Sequence, residues 1–87
     1  MRKVYKYVLE QDNMRFDLPV GAEFCSASMQ EHLPVLYFLV DSEEERTEKH
    51  YIAAIPTGQP VPGFMWFLAT VVSVNGLVWH IFDGGNV

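Results

Sequence analysis

The residues of this chain that are capable of chemistry are few, and they do not form a recognised catalytic pattern. The three histidines are His32, His50 and His80, and their spacings match no metal motif. His80 and Asp83 are three positions apart, which on a strand places their side chains on opposite faces. We therefore expect His80 to be hydrogen-bonded at a sheet surface or an interface, and we expect His32 and His50 to be exposed.

The only cysteine, Cys25, has no base or positive charge near it in the sequence to activate its thiol. We expect it to be a small buried apolar residue. A single cysteine excludes an intrachain disulfide and a cysteine-based zinc cluster, which fits a reducing cytoplasm. No nucleophile, base or metal constellation is visible, so the sequence predicts a protein that is not an enzyme and that uses no cofactor or metal.

Formal charge is distributed unevenly along the chain. The net charge is −5, yet between His50 and Val87 the only charged residue is Asp83. The overall acidity disfavours binding to duplex nucleic acid, which requires a basic surface. The apolar run Phe64–Val72 is too short to cross a bilayer as a helix, and the N-terminal residues lack the apolar core of a signal peptide, so we expect no membrane association.

One irregular segment, Pro56–Gly63, contains three prolines and two glycines, which disfavour both helix and strand. The candidate residues within it are Thr57, Gly58, Gln59 and Pro60, which offer backbone N–H groups and a hydroxyl to an anion. Their spacing is not that of a phosphate-binding loop. Two interpretations stay open: a rigid crossover between two hairpins, or a loop that contacts a small ligand or a partner protein.

Strand patterns dominate the sequence, and no segment has the period of an amphipathic helix. Alternating or continuous apolar runs predict seven strands: Lys3–Leu9, Met14–Leu18, Glu23–Met29, Leu33–Val40, Arg46–Ile55, Met65–Val72 and Leu77–Phe82. We pair the first two strands as a hairpin and interpret Leu33–Ile55 as a hairpin with an acidic tip. Asn75-Gly76 predicts a third hairpin with a type I′ turn.

The predicted fold is all-β: a compact antiparallel meander of about seven short strands that forms a bent sheet, a sandwich or a small barrel. We expect one domain over residues 1–83 and a flexible C-terminal tail at 84–87. Leu33–Val40 and Met65–Val72 are apolar on both faces, more than a small domain without helices can cover. We therefore expect a homo-oligomer, most simply a dimer, with an interface formed by Met65, Trp66, Phe67, Thr70, Trp79 and His80.

Five segments in chain order resemble a family of small proteins encoded by bacteriophages and prophages. These segments are Val4-Tyr5-Lys6-Tyr7, Leu18-Pro19-Val20-Gly21-Ala22, Leu39-Val40-Asp41, Thr57-Gly58-Gln59-Pro60 and Leu77-Val78-Trp79-His80-Ile81-Phe82. The resemblance implies a viral accessory protein that acts in the cytoplasm of a bacterial host, and it brings no catalytic residues.

These observations leave two classes of function open. The first is a non-enzymatic phage accessory protein that acts by binding, for example as an inhibitor of host defence that blocks a host protein or sequesters a nucleotide signal. The alternative is a small structural or assembly protein of the virion. Both classes are compatible with an apolar, self-associating domain.

Overall fold

The computed structural model describes residues 1–87 and contains seven β-strands without a helix. The strands are β1 (Arg2–Val8), β2 (Asn13–Pro19), β3 (Glu23–Gln30), β4 (Leu33–Asp41), β5 (Thr47–Pro56), β6 (Trp66–Val72) and β7 (Val78–Asp83). The all-β prediction is therefore confirmed, and each strand lies within a few residues of its predicted position. No helix long and apolar enough to cross a membrane is present.

The strands form two antiparallel sheets that pack face to face and do not close into a barrel. The first sheet has the order β1-β4-β3, and the second has the order β2-β5-β7-β6. The core between them combines residues of both sheets, with Leu36 of β4, Ile52 of β5 and Ile81 of β7 all fully buried. Each such side chain contributes about 1.5–3 kcal/mol through its burial.

Two of the predicted hairpins are wrong. β1 pairs with β4 instead of β2, and β4 pairs with β1 and β3 instead of β5. β4 is apolar on both faces and takes the central position of the first sheet, while the charged segment 42–46 connects the two sheets. The Asn75-Gly76 hairpin between β6 and β7 is confirmed, but the type I′ turn is wrong. That turn requires a positive φ at both central residues, and of the two only Gly76 has one, 85°. The Ser73 N–H donates to the Leu77 carbonyl oxygen, so the loop has three residues, 74–76.

The segment between β5 and β6 crosses the outer face of the second sheet. β5 and β6 both run antiparallel to β7, which lies between them, so the chain must return along the whole length of β7. Thr57 contacts His80, and a Cβ placed on Gly84 would lie 2.8 Å from Cε2 of Phe64. Pro56–Gly63 is thus a crossover, but it joins the single strand β5 to the β6–β7 hairpin and does not lie between two hairpins.

Residues 84–87, predicted to be a flexible tail, begin with a stretch that is bonded to the second sheet. The Gly84 N–H donates to the Tyr51 carbonyl, and the Tyr51 N–H donates to the Gly85 carbonyl, each at 2.8 Å. The Arg15 side chain donates from Nε to the Val87 carbonyl oxygen at 3.0 Å. Gly84 is buried as a result, so the first half of the predicted tail extends β7 beside β5.

Candidate binding surface on the second sheet

The outer face of the second sheet collects most of the residues that the sequence predicted as loop or interface. Side chains alternate along a strand, and Ile81 points into the core, so its neighbours His80 and Phe82 point outward. The register places Thr70 opposite His80 and Phe67 opposite Phe82. The two phenylalanine rings meet edge to face with 5.6 Å between their centroids, an arrangement that stabilises aromatic pairs.

His80 forms the polar centre of this face. Its Nε2 lies 2.7 Å from Oγ1 of Thr57 in the crossover, and its Nδ1 lies 2.9 Å from Oγ1 of Thr70 in β6. A neutral imidazole donates from one nitrogen and accepts at the other, and a hydroxyl can take either role, so both contacts are satisfied together. The prediction that His80 is hydrogen-bonded at a sheet surface is confirmed.

A bulge in β6 explains how Phe67 and Thr70 share one face despite their odd spacing. The pairing with β7 shifts between Phe67 and Ala69, which inserts one extra residue, Leu68, into β6. Without the bulge, residues 67 and 70 would point to opposite sides of the sheet. Leu68 instead packs against the core.

The remaining predicted interface residues separate into two groups. Met65 is half-buried, and its Cε would lie 3.4 Å from a Cβ on Gly84, so it belongs to the outer face. Trp79 pairs with Val71 and packs against the core on the inner face, because consecutive strand residues alternate. Trp79 and His80 therefore point to opposite faces of the second sheet. Trp66 lies at the sheet end, with its ring beside Gly85.

The crossover residues Gly58, Gln59 and Pro60 are exposed, as is Thr57. The Gln59 N–H donates to the Pro56 carbonyl oxygen at 3.2 Å, which closes a tight turn at the start of the crossover. Gly58 has a φ of 92° in this turn, a value that favours glycine. Of the four predicted loop residues, only Thr57 has a side chain that hydrogen-bonds to another predicted residue, His80.

Exposed apolar side chains are concentrated in residues 61–77. This stretch holds seven of the twelve large hydrophobic residues that are exposed: Val61, Phe64, Trp66, Phe67, Val72, Val74 and Leu77. The three aromatic residues among them are 50–55% exposed. Because an aromatic residue presents about 150–250 Å², these three alone expose roughly 250–400 Å², which approaches the largest apolar patch of a typical monomer. We call the outward-facing set Phe64, Phe67, Thr70, Val72 and His80 the apolar surface.

The edge strand that borders the apolar surface, β6, contains no charged residue. The other three edge strands do contain charged residues. β1 carries only positive ones, such as Arg2, β2 carries both Arg15 and Asp17, and β3 begins with Glu23. Charged side chains on edge strands oppose association with other chains. β6 lacks this protection, and its only hydrogen-bonded neighbour is β7.

A buried contact between the His50 ring and the Asp83 carboxylate was not predicted from the sequence. Asp83 is 3% exposed, its Oδ2 lies 2.8 Å from His50 Nδ1, and its Oδ1 accepts the Gly85 N–H at 2.7 Å. The expectation of an exposed His50 is wrong, since its side chain is 17% exposed. A lone charge in an apolar segment requires a buried partner, and that signal could have identified this pair.

Cys25 is exposed, so the prediction of a buried cysteine is wrong. It lies at the point where the register of β3 against β4 shifts, between Phe24 and Ser26. A bulged residue leaves the regular alternation of the strand and can point away from the core. No group of three or more His, Cys, Asp or Glu side chains is placed to hold a metal ion.

The two packed sheets and the apolar surface define a small β-sandwich domain in which the β6–β7 part of one outer face carries no charge, while β2 and β5 place Arg15, Asp17 and Lys49 on the same face. Residues 1–86 match the family model described as "Domain of unknown function (DUF7352)", and the chain belongs to that family. Searches of curated proteins and of solved structures found no match to the chain.

Proposed function

We propose that the protein acts by binding without catalysis, and that the apolar surface joins two copies of the chain into a dimer. The observation that carries this proposal is the concentration of exposed apolar side chains in a segment with no charged residue. A standard interface buries about 800 Å² on each partner. Phe64 and Phe67, the two aromatic residues of the apolar surface, are 54% and 55% exposed and would supply about a fifth to a third of that area.

The absence of charge favours a second copy as the occupant of the apolar surface. In a two-fold symmetric contact the same surface meets itself, so any charged residue near the axis would meet a like charge. The apolar surface avoids this repulsion entirely, while the Thr57–His80–Thr70 group at its centre satisfies its own polar atoms. A heterologous partner with a charged surface would find no complementary charge here.

The resemblance to bacteriophage proteins supports an accessory role in the cytoplasm of a bacterial host, in which the dimer blocks a host protein such as a defence component. Sequestration of a nucleotide at Thr57–Pro60 is less well supported, because no Lys or Arg between His50 and Val87 is present to neutralise phosphates. A structural or assembly role in the virion remains the alternative.

Dimerisation through the apolar surface can be tested with outward charges on the two sheets. Phe67→Glu on β6 is compared with Val4→Glu on β1, since the two parent residues are 55% and 57% exposed. In sedimentation velocity at 1–100 μM (roughly the range that separates specific dimers from weak contacts), the wild type and Val4→Glu should have the dimer mass, and Phe67→Glu should have the monomer mass. Circular dichroism should show the same strand content in all three.

A second outward charge, Thr70→Glu, should also dissociate the dimer before it unfolds the domain. Thr70→Ser is its control, because serine keeps the hydroxyl that contacts His80. A monomeric wild type at the highest concentration would contradict the proposal, and so would dissociation by Val4→Glu but not by Phe67→Glu. Mass spectrometry of purified virions separates the two roles: an accessory protein should be absent from the particle.

A further inference from the structure

A cavity of about 90 Å³ lies at one end of the sandwich, between the β1–β2 connection and the β3–β4 turn. Its buried lining is apolar and includes Leu9, Pro34 and Ala54. Trp79, the inward-facing tryptophan of β7, forms another part of the wall. The cavity is thus continuous with the apolar interior and separate from the apolar surface.

The mouth of the cavity carries negative charge. Glu10 and Asp12 both line it and both are exposed, whereas no Lys or Arg lines it. The neighbouring basic residues have other partners. Lys6 Nζ donates to Gln30 Oε1 at 3.2 Å, and the Arg15 guanidinium lies over an aromatic ring, 5.1 Å from its centroid. The two carboxylates form no salt bridge, and the exposed His32 is the other ionisable side chain of the lining.

Backbone hydrogen bonds hold the walls of the cavity in place. The Leu9 N–H donates to the Pro34 carbonyl at 2.9 Å, and the Ala54 N–H donates to the Asp12 carbonyl at 2.8 Å. These two bonds connect the β1–β2 segment to both sheets. A pocket with walls fixed in this way does not have to be ordered when a ligand enters, which favours binding.

The combination of an indole wall and uncompensated carboxylates favours a cationic guest. A cation gains from contact with a tryptophan face, and it gains again from nearby carboxylates. The volume corresponds to about three molecules of liquid water and is smaller than a cavity that holds benzene, so the guest must be compact. We propose that this cavity binds a small organic cation of the guanidinium or alkylammonium class, through Trp79, Glu10 and Asp12.

The test uses N-methylguanidinium as the probe and the neutral, similarly shaped N-methylurea as its control, at constant ionic strength. The indole N–H signals of Trp79 and Trp66 are followed by ¹⁵N NMR. N-methylguanidinium should shift the Trp79 signal in a saturable manner and leave Trp66 unchanged, and N-methylurea should bind at least tenfold more weakly. Equal effects of the two probes, or equal shifts of the two indoles, would overturn the proposal.

Charge variants keep the test independent of folding, because Trp79 also packs against the core and its replacement could unfold the domain. Glu10→Gln and Asp12→Asn should each raise the Kd of N-methylguanidinium about two- to fivefold. Glu23→Gln removes the same charge from β3 and should leave the Kd unchanged. Unchanged affinity in the Glu10→Gln/Asp12→Asn double variant would also refute the proposal.

One further arm distinguishes the two sources of such a cation. An acetylated and amidated Gly-Arg-Gly peptide presents the same guanidinium on an arginine side chain. Binding of this peptide at least tenfold tighter than that of N-methylguanidinium would identify an arginine of a partner protein as the guest, and equal or weaker binding would identify a free small cation. Failure of all cations to bind would refute the cavity proposal while leaving dimerisation untouched.

Discussion

Replacing Asp83 with alanine should cost the domain a large part of its stability. The carboxylate accepts hydrogen bonds from His50 Nδ1 and from the Gly85 N–H, at 2.8 and 2.7 Å. Both donors lose their partner in the variant, and each unsatisfied buried donor costs about 1–3 kcal/mol. Because the His50 side chain is 17% exposed, water can solvate part of the ring, and we expect a total loss of about 2–4 kcal/mol.

That loss is substantial against the stability available to a domain of this size, on the order of 4–13 kcal/mol. It can be measured by urea denaturation followed through tryptophan fluorescence. Glu48→Gln is the matched control, since Glu48 Oε1 lies 3.5 Å from His50 Nε2 and its side chain is 47% exposed. This long, exposed contact should contribute less than about 0.5 kcal/mol.

A double-mutant cycle of Asp83→Ala with His50→Ala isolates the contribution of the pair itself. We expect a coupling energy of about 1–3 kcal/mol, because the two side chains share one buried network. A coupling energy below about 0.5 kcal/mol would refute the reasoning. So would a Glu48→Gln variant that loses as much stability as Asp83→Ala.

Three smaller perturbations test other parts of the structure. Gly84→Ala should destabilise the domain by about 1 kcal/mol, because its Cβ would lie 2.8 Å from the Phe64 ring. Gly63→Ala should be neutral in the same urea titration, since no atom lies within 4 Å of its Cβ. Burial raises the pKa of the Tyr7 phenol above its ordinary value of 10.0, so the folded state favours the neutral phenol. Its stabilising contribution should persist below about pH 10 and be lost as the pH rises further, a loss that Tyr7→Phe should remove. Exposed Cys25 should react with a maleimide in the native protein at the rate of the unfolded chain; strong protection would contradict the bulged, exposed position.

The sequence was sufficient to predict the strands but not their partners. The apolar pattern of a strand reports which of its faces are buried, and the continuous apolar run Leu33–Val40 correctly indicated burial on both faces. Alternation carries no information about which strand lies alongside. Proximity in sequence therefore led to β1–β2 and β4–β5 hairpins where the chain changes sheets. The β6–β7 hairpin was predictable because Asn-Gly marks a short turn between adjacent strands, although its three-residue loop is not the type I′ turn that the pair predicts.

The candidate site could be predicted in composition but not in geometry. Thr57 was assigned to a loop, and Thr70 and His80 to an interface, yet all three meet because the crossover returns over β7. The β6 bulge that brings Phe67 to the same face left no signal in the alternation. His50 and Asp83 are separated by 33 positions, and only the register between β5 and β7 brings them together.

The crossover also sets an order for folding. The β6–β7 hairpin needs only the short turn between Val72 and Val78, and such hairpins form within about 1–10 μs. The crossover is longer, and its closure contributes only once β7 pairs with β5, so we expect this step to come later. β6 thus acquires its backbone partner at the earliest stage. The one edge strand without a charged residue is therefore expected to pair with β7 before the rest of the sandwich assembles.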